Sequence, residues 1–196
     1  MAYYLGKDVN VILQCETTSG LAVSAAGAVT ADASATYAAG IPKLGTAVFT
    51  TNAMNDVTGL DLGIGSTDED VSYLGLRTQL KAEVHKETTV SFTLKKKNKV
   101  YDAIFNHPAR WGTKLGAIFD GYGEPTTEYG FRIYVQLKSG EEIFVVRSCT
   151  FNGHSVTLNA DGTQEETIEF VSQVDPKIYP ASNSAGISGA VGITEL

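Results

Sequence analysis

The sequence predicts a mainly β fold: a β-sandwich or β-barrel body with one short flanking α-helix and extended loops or arms. Three observations predict it. From Gln79 the chain alternates, with Val84, Val90, Phe92 and Leu94 on one face and Glu83, His85, Glu87, Thr89, Ser91 and Thr93 on the other, which is the period of a long half-buried strand. From Asn98 the period lengthens. Val100, Tyr101, Ile104 and Phe105 stand three and four apart, lining one side of a short helix that Asn98 can cap and Pro108 ends. Further on, Phe131 to Lys138 and Glu141 to Phe151 are β-rich runs joined by Ser139-Gly140, a two-residue link that favours a tight hairpin.

Taken in order, Tyr3 to Glu16 reads as a strand with Gly6 as a bulge, placing Lys7, Val9, Val11, Leu13 and Cys15 opposite Asp8, Asn10, Ile12 and Gln14. Residues 17–46 are rich in Ala, Gly, Ser and Thr, with too little large apolar surface for a core of their own. They read as an inserted arm, either a flexible insertion or a segment ordered by a neighbouring subunit. Ala47 to Thr51 reads as a short strand, and residues 52–70 as turns rich in Gly, Asn and Asp. Asp61, Asp68, Glu69 and Asp70 lack the ligand spacing of an EF-hand, so this stretch reads as a solvated acidic loop, and Val71 to Leu80 re-enters the sheet.

The connection after Pro108 holds Trp111, read as its anchor to the body. Phe131, Ile133, Val135 and Leu137 point inward from the following strand. In its hairpin partner, apolar residues on both faces around Ile143 to Val146 require cover on both sides, by the helix or by a partner chain. Gly153 to Leu158 reads as one more strand and residues 159–162 as a turn. Thr163 to Val174 then returns with Glu165, Thr167, Glu169 and Val171 on one face and Glu166, Ile168 and Phe170 on the other. The tail after Pro176 reads as an arm or linker. The organisation is one β domain over residues 1–180, interrupted by the arm at 17–46, with a C-terminal arm at 181–196.

With 196 residues and a formal net charge of -7, the chain is long enough for a real core and the wrong sign for coating nucleic acid. It lacks a basic segment leading into an apolar one at its start and has no apolar run long enough to span a bilayer, so it reads as soluble, cytoplasmic and without a membrane partner. Cys15 and Cys149 read as buried free thiols.

Catalytic and metal signatures are missing. His85, His107 and His154 show no ligand spacing and read as structural or surface residues, and Gly63 to Asp68 has neither the lysine nor the helix of a phosphate loop. No enzyme activity and no cofactor are expected. Lys95, Lys96, Lys97 and Lys99 form the one basic cluster, which lacks interleaved aromatics. It reads as a solvated strand end or as half of a contact with an acidic patch on another copy. Asp68, Glu69 and Asp70 are the candidates for the other half.

The order of these parts resembles a family. An acidic run STDEDVSYLG, the strand KAEVHKETTVSFTLKK with its helix VYDAIF, the hairpin around FRIYVQLKSGEEIF and a closing ETIEFVSQVDPKI are similar to the pattern of bacteriophage tail tube proteins of the contractile-tailed type, over most of residues 70–180. The resemblance implies a β body that assembles as hexameric rings stacked into a hollow tube, within a virion whose parts are assembled in the host cytoplasm. Tail sheath and baseplate or tail-terminator proteins would be its partners, and DNA would pass through the lumen without specific binding. Under that reading the acidic strand faces line the lumen, with Glu165 and Glu169 first and Glu83 and Glu87 second. The alternative is a β-sandwich ligand- or carbohydrate-binding module, for which Trp111, Tyr122 and Tyr129 are the available aromatics.

Overall fold

A computed structural model of the chain describes residues 9–16, 19–44, 54, 56–71, 80–107, 130–137, 142–158, 160 and 162–180, with the side chains of 71, 80–85 and 180 left aside. Strands β1 (Val9–Cys15), β2 (Gly20–Val23), β3 (Val29–Asp32), β4 (Gly40–Ile41), β5 (Val57–Val71) and β6 (Leu80–Lys95) lead into helix α1 (Val100–Phe105). Strands β7 (Phe131–Leu137), β8 (Glu142–Thr157), β9 (Glu165–Ser172) and β10 (Lys177–Pro180) follow. The main sheet runs β1-β7-β8-β9-β6-β5, with β10 also paired to β8, and curls into a half-barrel. The mainly β body with one short helix is as the sequence implies.

Curvature comes from β8, which changes partners along its length. Its first part pairs with β7 as far as Phe131 opposite Cys149, and its second part pairs with β9 from Thr150 opposite Val171. At the changeover Ser148 takes a φ of 51° within the register shift between Val146 and Cys149, and a second shift follows between Phe151 and Gly153. One continuous bent strand therefore replaces the two that the sequence suggested, because the bulge at Phe151/Gly153 keeps the chain in the sheet where the glycine reads as a break.

The curl wraps a core in which Phe92 and Phe151 each stack on Phe170, at 5.5 and 5.0 Å, and Phe131 meets the Phe170 edge at 5.6 Å. Helix α1 closes it with Val100, Tyr101 and Ile104, while Phe105 packs edge-on against Phe151 at 5.1 Å. Asn98 Oδ1 accepts from the Val100 backbone N–H at 3.0 Å, so the expected cap acts one residue before the formal N-cap, Lys99. Ile12, Tyr134, Ile143 and Val145 form a second buried cluster. Phe131 to Val135 are thus buried on both faces, and Ile143, Val145 and Val146 are buried with Phe144 half-buried; among the described residues Tyr179 of β10, rather than the helix, packs on the second cluster.

Residues 20–41 depart from the extended arm read in the sequence. They form a small sheet ordered β3-β2-β4, whose Leu21 and Ile41 belong to the main core. Few large side chains are needed here, since Gly40 lets β4 lie so close to β2 that a Cβ would run into the Leu21 carbonyl.

Val57 to Val71 also departs from expectation, being strand β5 rather than turns. Leu60, Leu62 and Ile64 alternate with Asp61, Gly63 and Gly65 along a register held by β6, and a Cβ at Gly63 would meet Thr89 Oγ1 at 2.6 Å. Cross-strand pairing outweighs the turn composition. Similarly, the stretch after Pro176 read as an arm supplies β10, paired to β8 from Lys177 opposite Val145. The first strand is described as Val9–Cys15, with both Ile12 and Gln14 buried beside the inward Val11 and Leu13. Gly6, the strand read at 47–51, most of 71–80, Trp111, Tyr122, Tyr129 and the arm at 181–196 lie outside the described residues.

Both cysteines are buried free thiols, and burial pushes Cys15 up to about 12. Next to them Arg132 donates to both oxygens of Glu16, at 2.9 and 2.6 Å, and Glu16 Oε1 also accepts from the Ser148 backbone N–H at 3.1 Å.

Candidate functional site

The candidate site is the convex polar face of β8, β9, β6 and β5, built by alternation. Alternate residues of β6, β8 and β9 turn toward the core where these strands pair, Leu60 and Leu62 of β5 pack against it, and the residues between face away. Ile64, farther along β5, is exposed. Register aligns them in rows: Thr157, Glu165 and Lys95; then Ser155, Thr167, Thr93 and Gly59; then Gly153, Glu169, Ser91 and Asp61. Thr93 and Thr167 share a hydrogen bond at 3.2 Å. Val171, Thr89 and Gly63 form the next row, and Glu87 stands beyond it opposite Gly65. None of these positions is aromatic.

Glu165, Glu169 and Glu87 are therefore on one face, as read from the sequence, joined there by Asp61. They differ in state. Glu165 is half-buried and paired with Lys95, whereas Glu169 and Glu87 are exposed. Gly153 leaves the room that the Glu169 carboxylate occupies, since a Cβ there would meet its Oε2 at 2.5 Å. The Glu83 backbone sits in β6 opposite Asp68, and its side chain lies outside the described set.

β9 reaches only to Thr88, so beyond that point β5 and β6 continue as a two-stranded ribbon. Asp68, Glu69 and Asp70 are exposed at its far part, and Lys95 to Lys99 lie at the other end of β6. Sixteen strand residues separate the two ends by about 50 Å. The structure does not bring the acidic and basic candidates together within one chain. Each lysine of the cluster is instead engaged locally: Lys95 with Glu165, Lys97 with Asp56 at 2.6 Å, and Lys99 with the Ala25 carbonyl.

Lys96 belongs to a network that the sequence reading missed. Its ammonium lies 2.6 Å from Asp102 of α1 and 3.2 Å from Glu166 of β9. His154 of β8 stands between the same carboxylates, with Nε2 3.2 Å from Glu166 and Nδ1 3.6 Å from Asp102. Glu166 is only 2% exposed. Burial pulls the Lys96 pKa down, but the hydrogen bonds and charges of Asp102 and Glu166 outweigh it and hold it above the ordinary lysine value. Asp102, His154 and Glu166 offer atoms of metal-ligand type within 4.8 Å of one another, and the Lys96 ammonium contacts two of the three, Asp102 and Glu166. Chemically this is a charge cluster that ties the helix to the sheet.

No protein-family model matches the sequence, and no curated protein matches it. Solved structures match the chain at low identity. A chain from the virion of a native gene transfer agent particle is 10% identical, with a TM-score of 0.45 over 90% of this chain and 99% of that one. A chain from the tail of an empty particle of this kind, with C6 symmetry, gives 10% and 0.43 over the same shares. One from the extended sheath-tube complex of an extracellular contractile injection system gives 11% and 0.44, over 91% of this chain and 92% of that one. With TM-scores below 0.5, function is argued below from this chain's own residues.

Proposed function

We propose that this chain is a structural subunit of a phage-type tail tube, forming hexameric rings that stack into a hollow conduit for DNA. One observation carries the reading: a four-stranded face of carboxylates, hydroxyls and glycines runs on into a ribbon that is two-stranded among the described residues. A two-stranded ribbon is marginal in water by itself and gains stability from a neighbour. The exposed side chains of Ile64 to Asp70 along this ribbon support self-association.

The polar face suits a water-filled lumen. Burying the exposed carboxylates of Glu169 and Asp61 at a subunit contact would be costly, whereas facing water costs nothing and presents negative charge to phosphate. Repeated around a ring, such a wall lets DNA slide without sticking. The separation of Asp68 to Asp70 from Lys95 to Lys99 along one direction suits head-to-tail stacking, with Lys97 the most exposed of the ion-paired lysines of the cluster at 64%. In this role the chain is non-catalytic and without a cofactor. It resides in the virion after assembly in the host cytoplasm, and it meets sheath and baseplate or terminator proteins at its outer wall and ends.

Mass measurement of the purified full chain at micromolar concentration tests this. Six-subunit species and larger stacks are expected, with stacking weakened at high salt. A monomer at every concentration and salt would reject it, and the binding-module alternative predicts that monomer.

A further inference from the structure

We propose that Asp102, His154 and Glu166 form a site for one divalent ion of the zinc class, which replaces the Lys96 ammonium as the cation joining helix α1 to the sheet. Three elements supply the ligands: α1, β8 and β9. One atom from each lies within 4.8 Å of the others, and an imidazole nitrogen with two carboxylate oxygens is a donor set that zinc accepts. Helix α1 has only six residues, too few to be stable alone, so it depends on such ties. The ion is structural, independent of the ring reading and with no reaction attached.

The spacings suit it. Bonds of about 2.0 Å to a tetrahedral zinc place its ligand atoms roughly 3.3 Å apart. His154 Nε2 is 3.2 Å from Glu166 Oε2, and Nδ1 is 3.6 Å from Asp102 Oδ1. Two of the ligands are already held in place. The imidazole packs against Phe105 at 6.0 Å and edge-on against Phe151 at 6.1 Å, while Glu166 is buried in the sheet. Asp102 supplies the adjustment that closes the site, its side chain being 36% exposed on the helix.

Charge points the same way. A ligating imidazole is neutral, so two carboxylates face the single positive charge of Lys96, which lies 2.6 Å from Asp102 and 3.2 Å from Glu166. A divalent ion balances both, and a buried carboxylate gains most from that balance. The other lysines of the cluster are engaged elsewhere, with Glu165, Asp56 and the Ala25 carbonyl. Lys96 can yield without moving its strand. Its backbone N–H stays on the Gln164 carbonyl at 3.0 Å, and its long side chain, 18% exposed, already reaches the surface.

Zinc titration of the untagged full chain, followed by calorimetry and by the midpoint of urea unfolding, tests the site. The parent is expected to bind one equivalent. Lys96→Met removes the competing cation, so it should bind zinc about tenfold more tightly and regain in zinc the urea midpoint it loses without it. Asp102→Asn, a change on the exposed side of the helix, should weaken binding at least about tenfold relative to the parent. Magnesium should give no comparable response, because it avoids an imidazole ligand. Zinc binding unchanged by Asp102→Asn, an equal response to magnesium, or no binding by the parent and Lys96→Met would each overturn the site. If Lys96→Met fails to fold, the parent and Asp102→Asn decide.

Discussion

Lys96 and Glu166 meet 3.2 Å apart on the core side of the sheet, a cation and a carboxylate carried inward by strands that otherwise send Phe92, Leu94, Ile168 and Phe170 there. His154 and Asp102 complete the contact, so four elements are joined at one point. Removing Lys96 takes the cation from the buried Glu166 carboxylate, the costly outcome for such pairs. Lys96→Met should therefore lower stability by about 3 kcal/mol near neutral pH, read from the midpoint of urea unfolding.

The same contact sets a pH dependence. The folded pKa of Lys96 is raised, so its contribution is fully present below the ordinary lysine value of 10.5 and is lost as pH rises through the higher folded value. Lys96→Met should abolish this part of the alkaline loss. Comparing the urea midpoints of the parent and the variant between neutral pH and pH 11 checks it.

Phe170 touches Phe92, Phe131 and Phe151 at once and is fully buried. Phe170→Ala leaves a cavity that rigid strands on both sides cannot close. A loss of about 4 kcal/mol is expected in the same unfolding assay.

The small-residue segment is part of the fold, and this reverses what its composition suggests. Ile41 is fully buried in the main core, and Gly40 lies against the Leu21 backbone. Ile41→Ala should cost about 3 kcal/mol. Gly40→Ala should separate β4 from β2, and deletion of residues 17–46 should leave a chain without a cooperative thermal transition in calorimetry.

Much of the body was legible because alternation and burial agree. Val90, Phe92 and Leu94 against Thr89, Ser91 and Thr93 read as they stand, and so do Ile168 and Phe170 against Glu165 and Glu169. Strand β5 was hidden because Gly59, Gly63 and Gly65 carry a turn signal, and only β6, its partner, makes them a strand. The sheet of residues 20–41 was hidden for a related reason: Gly20 and Gly40 mark close backbone approach, which in sequence looks the same as flexibility.

The Lys96 network joins residues too far apart in the chain for spacing to reveal. One signal did exist. Glu166 and Lys96 each fall on the apolar face of their own strand, and two opposite charges on core faces call for each other.

On the proposed channel face the carboxylates differ in exposure: Glu165 is half-buried beside Lys95, whereas Glu169 and Glu87 are exposed and are the probes of choice. Exposed substitutions there should change stability by less than about 0.5 kcal/mol. Tubes carrying both Glu169→Lys and Glu87→Lys should form, yet retain added DNA on a sizing column at low salt where the parent tubes let it pass.

The most direct test is electron microscopy of the assembled parent chain at a resolution that traces strands. The account predicts six-fold hollow tubes in which the β8-β9-β6-β5 face, with Glu169 and Glu87, borders the channel. Tubes with that face turned to the outside, or only monomers across concentration and salt, would contradict it.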